Sequence, residues 1–199
     1  MARPIILASG SEIRAELLAN AGIQFDIIKP RVDEDSLKAA LDSEGASPRD
    51  IADSLAEAKA QKVSMKRPEA LVLGCDQVLS FENQVISKPK DVEDARNQLK
   101  RLSGQRHMLL SALVIYQDMR PIWRHIGQVR LQMRDISDSY LEDYLARNWE
   151  SIQTSVGAYK LEEEGIRLFS KVEGDYFSVL GLPLVELINY LTLSGDLEG

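Results

Sequence analysis

The run Leu71-Val72-Leu73-Gly74-Cys75-Asp76-Gln77-Val78-Leu79 reads as an apolar strand with a carboxylate set into its middle. Aspartate is among the residues least willing to be buried alone, because an unpaired buried charge is expensive enough to shift its ionisation instead. A chain with this strand must bring a cation, a lysine or arginine, or several hydrogen-bond donors to Asp76. Lys88, in Ile86-Ser87-Lys88-Pro89, follows a turn at Glu82-Asn83-Gln84, and a hairpin through that turn would carry it back toward Asp76. The segment alone leaves an aspartate on an edge strand, facing water, as the plain alternative.

A length of 199 residues is enough for one domain with a substantial core. Hydrophobic residues at 44% and charged residues at 28% describe a globular chain rather than a disordered one. The net charge of −7 argues against a nucleic-acid duplex as the main partner. It leaves room for a small anion, since a local group of lysines and arginines makes a positive pocket in an acidic protein. The single cysteine, Cys75, forms no internal disulfide and suits a reducing compartment. No apolar run reaches the length of a membrane span, and the start lacks the long apolar stretch of a secretory signal. The cytoplasm is the expected location.

Strands and helices alternate along the chain, so the expected fold is α/β with a mixed sheet. A buried strand at 5–8 precedes a helix capped by Ser11, whose Ile13, Leu17, Leu18 and Ala21 share one face before Gly22 ends it. A second strand is expected at 25–28, then a loop through Pro30 and the acidic residues to Ser47-Pro48, then an alanine-rich helix over 49–65. After the central hairpin, Asp91 caps a helix presenting Ala95, Leu99 and Leu102. Strands follow at 108–116 and 122–133, a helix opens at Asp138, and a loop spans 156–162. A strand at 166–169 and a closing helix with Pro183 in its first turn complete the fold. The expectation is one domain over 1–193 and a frayed tail at 194–199.

Ser9-Gly10-Ser11 lies between a strand and a helix start, where free N–H groups and the positive helix end favour phosphate. Simple capping is the commoner use of such a turn. Arg14, one turn on, has a fork suited to phosphate oxygens or to solvent. Lys59 lies among Ala52, Leu55, Ala56 and Val63, which allows either a snorkelling side chain or one aimed at a ligand. Lys88 is held extended by Pro89. Asp33-Glu34-Asp35 could be a solvated loop or a helix cap, or could join Asp76 around a hard divalent cation. His107 and His125 are too few for a zinc site, and His107 is read as a hydrogen-bonded structural residue. No P-loop, G-x-G-x-x-G, H-E-x-x-H or G-x-S-x-G pattern is present.

In order along the chain, the segments 5–18, Val32-Asp33-Glu34, Ala58-Lys59-Ala60, Asp76 with Lys88-Pro89, Leu102-Ser103-Gly104-Gln105-Arg106-His107, Val156-Gly157-Ala158-Tyr159 and Gly181-Leu182-Pro183-Leu184 resemble the Maf family of nucleoside triphosphate pyrophosphatases. The resemblance covers nearly the whole chain. It implies an elongated mixed sheet flanked by helices, in two lobes with a central cleft. It also implies hydrolysis of a nucleoside triphosphate to monophosphate and pyrophosphate, with Asp76, Lys59 and Lys88 catalytic and Glu34 and Asp76 holding Mg²⁺ or Mn²⁺. Ser9, Ser11, Ile13, Arg14, Gln77 and Glu162 would bind the substrate. A homodimer is left open.

The family usually carries a proline and two arginines after the second serine; here Glu12 and Ile13 take the first two of those places and Arg14 the third. Gln77 and Glu162 resemble the branch acting on 7-methyl-GTP, although Ile13 stands where that branch has tryptophan. A dTTP/UTP pyrophosphatase and a nucleotide-binding regulator of cell division are the alternatives.

Overall fold

The computed structural model describes residues 3–198. Its strands are β1 (Ile5–Ala8), β2 (Asp26–Ile27), β3 (Leu71–Phe81), β4 (Gln84–Ile86), β5 (Arg106–Gln117), β6 (Arg120–Met133) and β7 (Phe169–Glu173). Its helices are α1 (Glu12–Asn20), α2 (Glu34–Ser43), α3 (Pro48–Ser64), α4 (Val92–Leu102), α5 (Asp138–Ile152), α6 (Tyr176–Val179) and α7 (Leu184–Ser194). The strands form one mixed sheet in the order β2-β1-β3-β5-β6-β7, with β4 also paired to β3. β1 is parallel to both β2 and β3, while β4 and β7 run antiparallel to β3 and β6.

The residues group into two compact units, with three boundaries inside β3, β5 and β6 and a fourth between β7 and α6. The first contains the chain up to Gln77, Leu110–Gly127 and everything from Asp175 onward. β1 and the adjoining part of β3 are buried along Ile5–Ala8 and residues 71–76, which is why the sequence shows apolar runs there and not alternation, while the edge strand β2 is exposed. Leu7, Leu18, Leu73, Leu113 and Leu187 belong to the core of this unit.

The second unit holds Val78–Leu109 and Gln128–Gly174. Here β6 alternates, burying Val129, Leu131 and Met133 and exposing Arg130, as a strand with one covered face does. The β3–β4 hairpin turns through Glu82 and Asn83 at φ +51° and +61°, the pair of left-handed residues that a two-residue turn needs.

Several elements differ from expectation. The acidic loop contains α2, capped by Asp33, whose carboxylate accepts from the Ser36 N–H at 3.1 Å. No residue of α2 is fully buried; Leu37 and Leu41, one turn apart, are half-buried among acidic and polar neighbours. The strand expected at 166–169 is a 3₁₀ turn (Glu164–Leu168) leading into β7. Ile166 is exposed there, and Gly165 lies so close to the Lys160 carbonyl that a Cβ would stand 2.3 Å from it. α6, capped by Asp175, had no sequence signal beyond that aspartate.

The tail is docked where fraying was expected. Gly195 closes α7 at φ +77°, the Asp196 N–H donates to the Leu191 carbonyl at 2.9 Å, and Arg3 Nε donates to the Asp196 carboxylate at 2.7 Å. No helix among the described residues is long and apolar enough to cross a membrane.

His107, buried in the second unit, shares a 2.8 Å hydrogen bond with the Tyr159 hydroxyl and lies beside the Phe169 ring. Burial pushes its imidazole down to about 4. The folded chain therefore keeps this ring neutral where the unfolded chain takes up a proton. Its contribution is complete above the unfolded value near 6.5 and is lost as pH falls toward 4, about 3 kcal/mol in all. Urea titrations across this range should show His107→Gln losing less stability than the parent on acidification; parallel curves would contradict this account.

Candidate active site

α3 starts at a capping box, with Ser47 and Asp50 satisfying each other's backbone N–H groups and Pro48 in the first turn. Its small-residue face then lies directly on β3. A Cβ on Gly74 would stand 2.2 Å from the Ala56 carbonyl oxygen and 2.7 Å from the Ala60 Cβ, so only glycine allows this approach. The seating carries Lys59 to Asp76, two residues along the strand. Lys59 Nζ donates to Asp76 Oδ1 at 2.6 Å and pairs with Glu34 Oε1 at 2.9 Å. Asp76 and Lys59 are 6% and 7% exposed, so the lysine is buried and ion-paired, and the snorkelling alternative falls.

The compensation demanded by Asp76 thus comes from Lys59. Lys88, expected to return to it through the hairpin, belongs to the second unit and is exposed, without a hydrogen bond or ion pair among the described residues.

The Ser9-Gly10-Ser11 turn follows β1. Ser9 is buried, and its Oγ accepts from the Ser11 N–H at 3.1 Å and from Arg14 Nη1 at 3.3 Å. Ser11 occupies the cap position of α1 in extended conformation, yet its side chain makes no capping bond. Among the described residues no side chain accepts from the first-turn N–H groups of α1, the arrangement that suits an anion.

Arg14, expected to offer a fork to phosphate, already makes several contacts inside the protein. It is buried, its Nε donates to the Gly181 carbonyl at 2.8 Å and its Nη1 to the Cys75 carbonyl at 3.0 Å. The guanidinium braces the serine turn against the strand that carries Asp76, leaving Nη2 for any further partner. Ile13, expected at the base, is half-buried and packs against the apolar core of the first unit.

Gln77 Nε2 faces three oxygens: Ser111 Oγ at 2.9 Å, the Ser178 carbonyl at 3.1 Å and the Val179 carbonyl at 2.9 Å. Ser111 Oγ itself donates to the Ser178 carbonyl at 2.6 Å. Turning the amide over would set its oxygen against two carbonyls, so the orientation is fixed and the amide oxygen is the group left to a ligand. Glu162, in the second unit, is exposed and unpaired among the described residues.

Sequence reasoning missed the supports. Gly74 interrupts the apolar run Leu71–Leu79, a mark of close backbone approach. Ser111, polar within Leu109-Leu110-Ser111-Ala112-Leu113, repeats the signal that singled out Asp76. Among the described residues no group of three or more histidine, cysteine, aspartate or glutamate side chains could hold a metal. Glu34 and Asp76, both within reach of one ammonium, offer two carboxylates, which fits a hard cation drawing its other ligands from phosphate and water.

The first unit thus combines parallel strands, a serine turn that opens a helix and a buried aspartate held by a lysine. The chain belongs to the Maf-like protein family, whose profile matches residues 4–193. It is 65% identical over 198 residues to a nucleoside triphosphate pyrophosphatase of Ruegeria sp. (strain TM1040), covering 100% of both chains. It is 50% identical to a nucleoside triphosphate pyrophosphatase of Caulobacter vibrioides, covering 98% of this chain and 97% of the relative. A 7-methyl-GTP pyrophosphatase of Mesorhizobium japonicum is 47% identical over 199 residues, with 100% of both chains covered.

The seating of α3 is directly testable. Gly74→Ala should cost about 1–3 kcal/mol through overpacking, and any displacement of α3 that accommodates the methyl group also separates Lys59 from Asp76. Denaturant unfolding should show the loss, and an unchanged midpoint would show that the α3–β3 contact is looser than described.

Proposed function

We propose that this protein hydrolyses nucleoside triphosphates at the α-phosphorus, releasing the nucleoside monophosphate and pyrophosphate. The observation that carries the reading is the buried Asp76 with its lysine, tied through Arg14 to a serine turn whose helix N–H groups are open to an anion. The printed activity of the full-length relatives supports the same reaction.

Attack by a water oxygen on the α-phosphorus breaks the bond to the bridging oxygen, and pyrophosphate leaves with the bond pair. Asp76 orients that water and accepts its proton, and Lys59 holds the carboxylate in place while balancing its charge. The open N–H groups of α1 receive phosphate oxygens, and positioning with charge neutralisation supplies most of the rate. Lys88 adds a further cation. Mg²⁺ or Mn²⁺, held by Glu34 and Asp76, would neutralise triphosphate charge and make a bound water more acidic.

Asp76→Asn should abolish turnover in a protein that remains folded, since the amide neither accepts the proton nor balances Lys59. Lys59→Ala and Lys88→Ala should slow hydrolysis, and EDTA should stop it until Mg²⁺ or Mn²⁺ is restored. Parallel assays for pyrophosphate and orthophosphate decide the bond broken; orthophosphate alone would refute attack at the α-phosphorus.

The preferred base is 7-methylguanine. With its nitrogen committed to three oxygens, Gln77 offers only an acceptor, which suits the donor edge of guanine and opposes the carbonyls of thymine and uracil. Relatives named 7-methyl-GTP pyrophosphatase, at 44–47% identity, support this choice. Under this reading the carboxylate of Glu162 favours the cationic methylated base. The kcat/KM for 7-methyl-GTP should exceed those for GTP, dTTP and UTP. Glu162→Gln should reduce that preference about tenfold, the value of one charge-assisted hydrogen bond. A parent that prefers dTTP or UTP would remove the base assignment and leave the reaction standing.

A further inference from the structure

A charge count around the serine turn leaves one cation without a task. Lys59 is already engaged by two carboxylates, Glu34 and Asp76. The Arg14 guanidinium is buried and braces two carbonyls and a hydroxyl. Glu12, exposed on the first turn of α1, adds a carboxylate where an anion would dock. A polyphosphate approaching this end of the first unit therefore needs another positive group.

Lys29 is placed to supply it. β2 lies parallel beside β1, and the Ile28 N–H donates to the Leu7 carbonyl at 3.1 Å, so residue 29 leaves the sheet at the end where Ser9 and Gly10 leave β1. The Lys29 side chain runs along Gly10, with its Cγ, Cδ and Cε 3.5–3.6 Å from where a Gly10 Cβ would stand. Pro30 restrains the Lys29 backbone to an extended conformation and limits where the side chain can go. Lys29 is exposed, and no carboxylate among the described residues pairs with its ammonium. A four-carbon stem laid against the turn, with a free ammonium at its tip, is a point charge set beside an anion-receptive backbone.

We infer that Lys29 is a substrate-binding residue whose ammonium holds the pyrophosphate portion of the triphosphate at the Ser9-Gly10-Ser11 turn. The inference rests on the proposed reaction and adds to it. Asp76 and Lys59 work at the α-phosphorus, so the turn and the lysine beside it take the two phosphates that leave. Lys29 thus belongs with the leaving group and makes no contact with the nucleoside.

The test separates the two products. Binding of inorganic pyrophosphate and of nucleoside monophosphate, each with Mg²⁺, is measured by calorimetry on the intact protein and on Lys29→Ala, Lys29→Arg and Arg31→Ala. Lys29→Ala should weaken pyrophosphate binding about five- to tenfold, the scale of one charge-assisted contact, and leave monophosphate binding unchanged. Lys29→Arg should keep most of the affinity. Arg31→Ala removes the same unit of charge two residues away and should have little effect.

Equal pyrophosphate affinity in the parent and Lys29→Ala overturns the inference. So does a parent that binds no pyrophosphate, or a loss in Arg31→Ala as large as in Lys29→Ala, which would assign the effect to bulk charge. Because binding is read without turnover, a parent that binds pyrophosphate through Lys29 but hydrolyses no nucleotide would refute the reaction and sustain the role of Lys29.

Discussion

The contact of α3 with β3 at Gly74 governs the first unit. A helix backbone can come this close to a strand only where both surfaces are nearly bare, and Gly74 faces Ala56 and Ala60. The approach removes water from one face of β3 while the apolar core covers the other, and Asp76 is buried as a result. A lone carboxylate there would be prohibitively costly. Lys59, one residue before Ala60, arrives with the same helix and meets it. One packing contact therefore creates both the problem of a buried charge and its solution, and it leaves a carboxylate–ammonium pair in a water-poor place where charge acts strongly.

Arg14 plays a comparable part for the phosphate-receptive turn. A strand-to-helix connection ending in Ser-Gly-Ser is supple by composition, and such a loop would receive an anion poorly if it wandered. The guanidinium binds Ser9 Oγ, the Cys75 carbonyl and the Gly181 carbonyl together. It joins the turn, β3 and the segment before α7 within one unit. Its charge serves rigidity, and under the proposed reaction the helix N–H groups and the exposed lysine beside Gly10 are left to meet the triphosphate. Gln77 shows the same division: its nitrogen is spent on structure, so its oxygen is the part with a chemical message.

Much of this was legible in the chain itself. β1, α1, α3, α4 and α7 announce themselves through apolar runs, helical period and caps, because each buries a face and local propensity agrees with packing. α2 does not, because none of its residues is fully buried and acidic residues crowd its first turn. The turn at Glu164–Leu168 imitates a strand through Ile166 and Leu168, and only the exposure of Ile166 exposes the imitation. The tail looked free because its partner, Arg3, lies at the opposite end of the sequence.

The sequence by itself determined that Asp76 must be compensated, that Ser9-Gly10-Ser11 opens a helix, and that Lys59, Glu34, Gln77 and Arg14 belong to one family pattern. Tertiary structure decided which charge answers which. It gave Asp76 to Lys59, tied Arg14 to the Gly181 and Cys75 carbonyls, oriented the Gln77 amide and laid Lys29 along Gly10. Residue type and spacing reveal a requirement, because the cost of burying a charge is local chemistry. They do not reveal its partner, because that depends on which distant backbones can approach closely, and close approach is settled by packing in three dimensions.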